Sequence, residues 1–177
     1  MVYIMKNIIL AAGLSVSLVG CATTPTEPLK SASFEKIYEV QGLTKNQVYD
    51  GARQWFAVAF KSANAVIQYE DKETGTIIGK GNMGFPCSGA LNCMANQNVF
   101  ITFTARVDSK DGKMRVSYDD LMKKSNPSYS GGIKLNGYEL PVAKGSYDAE
   151  LVVDKLNKLS DEMAEKIQKQ QKVNSDW

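Results

Sequence analysis

The sequence predicts an α+β fold, in which an antiparallel sheet of about five strands has two helices packed on one face. Two segments place apolar residues at helical spacing, near residues 44–60 and 146–167. One strand-like segment precedes the first helix, and four more lie between the helices. The predicted order is therefore strand, helix, four strands and helix, in one domain over residues 34–172 that is followed by a tail at 173–177.

The first strand and the first helix are predicted at residues 35–60. Residues 35–41 have strand composition, and Gly42 ends that segment. Thr44 and Gln47 form a capping box, which predicts that a helix starts here. The apolar residues of this helix make one stripe, which we interpret as core packing rather than as a ligand site. They are Val48, Ala52, Trp55, Phe56, Ala59 and Phe60.

The middle of the sheet is predicted from hairpin signals and alternation. Residues 65–71 and 76–83 flank a short loop and predict a β-hairpin, and residues 84–97 are expected to form a crossing loop. Residues 99–108 and 114–119 then alternate apolar with polar side chains, so they are expected to pair antiparallel with one face buried. The inward side chains are Val99, Ile101, Phe103, Ala105, Val107, Met114, Val116 and Tyr118.

The outward side chains of these two strands form a candidate partner face for an envelope protein. An outward phenylalanine among threonines and an arginine favours an interaction surface, and an ordinary solvated sheet face is the alternative. The residues of this predicted face are Phe100, Thr102, Thr104, Arg106, Arg115, Ser117 and Asp119.

The C-terminal part is predicted to contain a loop and the second helix. Residues 123–145 are polar and glycine-rich, and Asn136-Gly137 between two short apolar segments predicts a type I′ hairpin. Ser146 is expected to cap a long amphipathic helix, whose residues from Gln168 onward are expected to fray. The apolar stripe of this helix is Val152, Leu156, Leu159, Met163 and Ile167.

The first 20 residues are predicted to be an export signal. Lys6 is the positive region, and residues 8–19 are an uncharged apolar run that ends at the small residue Gly20. About a dozen apolar residues are too few to cross a bilayer as a helix, so we expect the segment to be cleaved. Met5 is a second candidate start, from which the segment is a more typical signal.

Residues 18–21, Leu-Val-Gly-Cys, resemble the lipobox of bacterial lipoproteins, and this resemblance implies a mature chain that begins at a lipid-bearing Cys21. Acyl chains such as palmitate would hold the protein on a membrane, with residues 21–33 as a polar tether. Ala22 stands where an aspartate would retain an enterobacterial lipoprotein at the inner membrane, so the outer membrane is favoured. An ordinary signal peptide with a cysteine near its end is the alternative.

The other two cysteines, Cys87 and Cys93, are expected to form a structural disulfide in the oxidising periplasm. A redox pair is the alternative. The spacing is C-x5-C rather than C-x-x-C, however, and neither a histidine nor a predicted helix start lies beside a thiol to acidify it.

Composition excludes several kinds of site. The chain has no histidine, which removes Ser-His-Asp, Cys-His and histidine-zinc arrangements. Without the signal it has 20 basic and 19 acidic side chains, so no nucleic-acid partner is implied. Asp119 and Asp120 are expected to point to opposite faces of a strand, and Gly79-Lys80-Gly81 is too short for a phosphate loop. We therefore expect no catalytic residue, metal or cofactor, and a carboxylate-based hydrolase is the alternative.

Several motifs together resemble a bacterial family described only as a domain of unknown function with a TBP-like fold, which is common in lipoproteins. The motifs are residues 42–45 before a helix with Tyr49 and Trp55, then residues 66–69 and 75–81, and the likeness covers residues 34–123. The resemblance implies a TBP-like fold but supplies no catalytic or binding residue, and the fold name implies no DNA binding. The two-cysteine loop and the Asn-Gly hairpin are departures whose roles stay open.

Two functions are consistent with these observations. The first is a lipid-tethered, non-enzymatic binding or structural module that holds a protein partner on its open sheet face or on the loop between Cys87 and Cys93. The second is a periplasm-facing carrier of a small apolar ligand, held between helix and sheet. An enclosed apolar pocket of roughly several hundred Å³ would favour the carrier, and a filled core would favour the partner module.

Overall fold

A computed structural model of the chain describes residues 31–59 and 66–174, which form strands β1–β8 and helices α1–α3. The predicted signal, Cys21 and Phe60 lie outside the described residues. The strands are β1 Phe34–Glu39, β2 Val66–Asp71, β3 Thr76–Gly84, β4 Val99–Lys110, β5 Lys113–Ser125, β6 Ser128–Ser130, β7 Ile133–Leu135 and β8 Tyr138–Pro141. The helices are α1 Lys45–Ala59, α2 Ala90–Ala95 and α3 Tyr147–Asn174.

The main sheet is antiparallel, with strand order β1-β5-β4-β3-β2, and β8 also pairs with β5. The same edge of β5 pairs with two strands in succession. β1 pairs with its first half, where Phe34 lies opposite Tyr118, and β8 pairs with its second half, where Pro141 lies opposite Met122. Both α1 and α3 pack against the sheet and against each other. The predicted α+β class with two helices on an antiparallel sheet is confirmed, with β8 as an added strand and α2 as an added short helix.

The capping box of α1 forms as predicted, because the Thr44 amide donates to Gln47 Oε1 at 2.9 Å and the Gln47 amide donates to Thr44 Oγ1 at 3.3 Å. Most of the predicted stripe of α1 is buried, whereas Ala59 at its end is exposed. The helix also approaches α3 closely, since a Cβ on Gly51 would lie 3.0 Å from Ile167. The buried members of the stripe are Val48, Ala52, Trp55 and Phe56.

Helix α3 begins at the predicted cap, where Ser146 Oγ accepts a hydrogen bond from the Ala149 amide at 3.1 Å. The expectation that residues from Gln168 onward fray is wrong in this structure, because α3 continues to Asn174. The side-chain amide of Gln168 donates to the carbonyl of Gln41 at 3.1 Å, which gives the end of the helix a tertiary contact. The predicted stripe is buried at Val152, Leu156, Met163 and Ile167 and partly buried at Leu159.

A β-bulge in β5 changes which residues face the core. The pairing with β4 shifts between Thr102 and Thr104, and Asp120 takes a positive φ of 53°. Asp120 accepts a hydrogen bond from Thr104 at 3.0 Å, and Asp119 is paired opposite the same threonine. The expectation that Asp119 and Asp120 point to opposite faces is therefore wrong, since simple alternation holds only in an unbulged strand.

The predicted hairpin at Asn136-Gly137 is also wrong. Neither residue has the positive φ that a type I′ turn requires, and β7 and β8 do not pair with each other. Gly137 instead permits a close approach, because a Cβ there would clash with the Ser125 carbonyl oxygen. The hairpin forms between β6 and β7, at Gly131 and Gly132 with φ of 56° and 82°.

The segment predicted as a crossing loop contains the short helix α2, which includes Cys93. Cys87 and Cys93 are joined by a disulfide, with their Cα atoms 5.0 Å apart. The prediction of irregular structure over the whole segment is therefore wrong at residues 90–95. A helix this short is held by its closed loop more than by its own propensity.

Candidate functional site

The face of the sheet opposite α1 and α3, which we call the outer face, carries the side chains that alternation predicted to point away from the core. Along β4 the odd-numbered residues from Val99 to Val107 are buried, so the even-numbered ones lie on the outer face. In β5, Ser117 is paired opposite Arg106 and Asp119 opposite Thr104. All seven predicted residues belong to this face: Phe100, Thr102, Thr104 and Ser117 are half-buried, and Arg106, Arg115 and Asp119 are exposed.

An ion cluster on the outer face joins two arginines of the predicted partner face to Asp108, which is not among the predicted residues. Arg106 donates to Asp108 at 2.8 Å, Arg115 donates to it at 2.7 Å, and the Thr76 hydroxyl donates at 2.9 Å. Burial by itself would raise the pKa of this carboxyl, but the hydrogen bonds from its three donors lower the pKa to about 2. Both predicted arginines are thus already paired within the sheet.

A shallow open groove of about 460 Å³ lies beside this cluster on the outer face. β3 contributes Lys80 and Asn82, and β5 contributes residues that follow the bulge. The predicted face does not include these residues, because its alternation covers β4 and the first part of β5 only, and the bulge shifts the residues that follow it. The lining includes Lys80, Asn82, Thr102, Asp120, Met122 and Lys124.

The groove offers hydrogen-bonding groups rather than a reactive centre. Lys124 is paired with Glu139 at 2.8 Å, whereas Lys80 is exposed and has no ion pair within the described part of the chain. In residues 31–59 and 66–174, no group of three or more acidic or cysteine side chains converges as metal ligands would. A surface of this kind can bind a polar protein surface through its amide, hydroxyl and ammonium groups.

The second candidate surface is the loop closed by Cys87 and Cys93, which also fits the expected partner role. Its helix α2 has no buried residue. Leu91 within the loop and Met94 directly after Cys93 are 84% and 68% exposed, so α2 presents apolar groups to solvent. It therefore differs from the outer face, whose exposed groups are mostly polar but include Ile37, which is paired opposite Arg115.

The space between the helices and the sheet is filled by one hydrophobic core. Phe103 and Tyr118 meet there edge to face, with ring centroids 5.4 Å apart. Burial raises the pKa of Tyr118 to about 12, and its hydroxyl lies 3.2 Å from that of Ser160 on α3. A cavity of about 300 Å³ next to α1 and α3 is lined largely by polar residues such as Gln47, Asp50 and Gln54.

None of the helices in the described ranges is long and apolar enough to span a membrane. A family model described as a domain of unknown function (DUF4468) with TBP-like fold matches residues 34–123. Among curated proteins, none matches this chain.

Two solved structures share the fold. One is a DUF4468 family protein from Bacteroides ovatus ATCC 8483, with a TM-score of 0.57, 16% identity, and coverage of 77% of this chain and 86% of the other. The second is a TBP-like protein from Parabacteroides distasonis ATCC 8503, with a TM-score of 0.57, 10% identity, and coverage of 78% and 93%. At these identities the similarity establishes the fold alone.

Proposed function

The chain belongs to the DUF4468 family of domains of unknown function with a TBP-like fold, and from this premise we propose that it is a lipid-anchored, non-enzymatic binding module of the bacterial cell envelope. Its anchor is the acylated Cys21, and its destination is the outer membrane. Its domain holds an envelope protein on the outer face of the sheet.

The anchor proposal rests on the N-terminal sequence. A single positive charge, an uncharged apolar run and Leu-Val-Gly-Cys at residues 18–21 form the combination that lipoprotein processing requires. Multiple acyl chains, at roughly 0.8 kcal/mol per buried CH₂, hold a protein on a bilayer almost permanently.

The partner site rests on one observation: both long helices lie on the same face of the sheet, which leaves the opposite face and its groove of about 460 Å³ uncovered by them. Lys80 and Asn82 at the groove offer hydrogen bonds to a partner, and half-buried Phe100 supplies an apolar contact on the same face. A largely polar surface with apolar contacts from Phe100 and the exposed Ile37 fits a non-obligate protein interface.

The filled core supports this module over the carrier of a small apolar ligand. A carrier needs an enclosed apolar cavity, and such cavities lie between layers of the fold. Side chains from both layers occupy that position here. They include Val48, Trp55, Phe103, Tyr118, Leu156 and Met163.

The anchor is tested with Cys21→Ser in the full chain. Wild type is expected to incorporate labelled palmitate and to partition into detergent, because the acylated cysteine is its only lipid attachment in this proposal. The variant is expected to remain unprocessed or non-acylated and to leave the detergent phase. Absence of palmitate from wild type, or equal labelling of the variant, would refute the anchor.

The partner site is tested by affinity capture from crosslinked envelopes with a double variant, Lys80→Glu and Phe100→Ser. These changes alter the groove and its apolar neighbour without touching the Asp108 cluster, so a captured partner should be lost while the domain stays folded. Lys155→Glu, on the exposed side of α3, is the matched charge control. Equal capture by the double variant and the control would place the partner elsewhere.

A further inference from the structure

The exposed large apolar side chains of the described residues are concentrated in two segments. One is the Cys87–Cys93 loop together with the rest of α2, and the other is the arm formed by β6, β7 and β8 with the start of α3. We call these two segments together the apolar end. Eight large apolar residues of the apolar end are between 40% and 84% exposed. They are Leu91, Met94, Tyr129, Ile133, Leu135, Tyr138, Leu140 and Tyr147.

Pairing and contacts bring the two segments to the same end of the sheet. Val99, which follows α2, pairs with Ser125 at the end of β5, and Ser125 pairs in turn with Tyr138 of β8. Lys123 lies over the Phe85 ring at 4.2 Å and forms an ion pair with Asp148 of α3 at 2.9 Å. The loop, the arm and the start of α3 therefore converge.

The charge distribution at the apolar end suits an anionic lipid surface. Residues 81–105 contain no charged residue, so contact of α2 with lipid headgroups would desolvate no ion. Residues 123–150, which include the first turn of α3, contain four lysines and three acidic residues, and Lys123 and Lys124 are paired with Asp148 and Glu139. Lys134 and Lys144 are exposed and form no ion pair in the described ranges. Tyrosines and aliphatic residues next to lysines are the side chains favoured at a bilayer interface.

The N-terminal chain enters the domain beside this end. Ser31 bridges to Ala143, and the Ala32 amide donates to the Val142 carbonyl at 2.7 Å, between β8 and Tyr147. Cys21 is ten residues before Ser31. At about 3.5 Å per residue this segment spans at most about 35 Å, so an acylated Cys21 would keep the apolar end close to the bilayer.

We propose that the apolar end lies on the surface of the membrane that holds the anchor, with Leu91, Met94 and the side chains of the β6–β8 arm at the headgroup level. This inference rests on the proposed anchor at Cys21. It orients the domain, because the outer face of the sheet then remains accessible to a protein partner.

The test is photo-crosslinking in whole cells with the full chain, in which p-benzoylphenylalanine replaces Leu91 or Leu135. The matched control places the same group at Ile37, an apolar residue of β1 that is 61% exposed and pairs with Arg115 near the opposite end of β5. Mass spectrometry identifies the adduct. Phospholipid adducts at positions 91 and 135 are expected to exceed those at position 37 at least about fivefold, because only the apolar end enters the interface.

Other outcomes would overturn the proposal in distinguishable ways. A protein adduct at positions 91 and 135, including an adduct to a second copy of the chain, would assign the apolar end to a protein partner while the lipid anchor stands. Equal phospholipid adducts at positions 91, 135 and 37 would show that an anchored domain has no preferred orientation. Loss of acylation at Cys21, measured in the same spectra, would overturn the anchor and the docking together.

Discussion

The outer face and the apolar end are both exposed, but different interactions hold them. On the outer face, Asp108 is bound by two arginines and a threonine, so its polar groups largely satisfy one another. At the apolar end, a disulfide closes the loop that contains Leu91, and Leu91 and the neighbouring Met94 are largely exposed. The first surface can bind through hydrogen bonds, whereas the second gains free energy only where water is removed.

The largest expected change in unfolding free energy distinguishes substitutions on the two faces of β4. Phe103→Ser should cost about 3 to 5 kcal/mol of unfolding free energy, because it leaves a cavity and a polar group in the core. Phe100→Ser, on the half-buried outer face, should cost about 1 kcal/mol or less. Urea unfolding of both variants measures the difference, and equal losses would mean that both faces of β4 are buried.

The next largest change in unfolding free energy is expected from loss of the disulfide at the apolar end. Replacement of both Cys87 and Cys93 by serine should lower the unfolding free energy by roughly 2 kcal/mol at most, because the closed loop is short. The domain should still fold. Thiol labelling of the unfolded wild-type protein is the accompanying measurement, and two reactive thiols per chain at these positions before reduction would contradict the disulfide.

A smaller effect is expected from the ion cluster of the outer face. Asp108→Asn should cost about 1 kcal/mol at pH 7, since the partner arginines are partly solvated and their attraction is screened. The folded pKa of about 2 lies below the ordinary value of 3.8, so ionised Asp108 stabilises the fold above pH 3.8, and this contribution is lost as the pH falls toward 2.

Urea unfolding at several pH values tests this dependence. The gap between wild type and Asp108→Asn should be constant at neutral pH and close in acid. Asp154→Asn is the control. Asp154 forms an ion pair with Lys158 on α3, and both side chains are 65% exposed, so the pair should contribute little to the unfolding free energy. A gap that widened in acid would contradict the assigned pKa.

The smallest stability effect is expected at the apolar end. Leu91→Ser with Met94→Ser should change the unfolding free energy by less than about 0.5 kcal/mol, because both side chains are already in water. Thermal and urea unfolding of the disulfide-bonded protein measure this. A loss comparable to that of Phe103→Ser would show that these side chains are packed in solution and would remove the contrast between the two surfaces.

Much of the fold could be predicted because it depends on patterns within single elements. The Thr44–Gln47 box, the Ser146 cap and the alternation in β4 each involve residues that are close in the chain, and each forms as predicted. The seven side chains of the candidate partner face follow from that alternation. Their role in binding stays a prediction.

The predicted alternation ends at Asp119, so it does not predict the bulge that begins there. Tyr118 and Leu121 are both buried although they are three residues apart, a spacing that a regular strand does not allow. That spacing is the local signal for the bulge, and it also explains why Met122 and Lys124 reach the outer groove. Asp108 follows the same alternation in β4 as Arg106, although the predicted partner face does not include it.

The layers, caps and buried stripes follow from local periodicity, since helix and strand geometry repeat within a few residues. The partner of β8 and the site of the C-terminal hairpin depended instead on long-range contacts. Asn136-Gly137 has strong turn propensity, but Tyr138 pairs with Ser125 and completes the main sheet. Turn propensity contributes little compared with the hydrogen bonds and burial gained along a sheet edge, and these are determined only when the whole chain is folded.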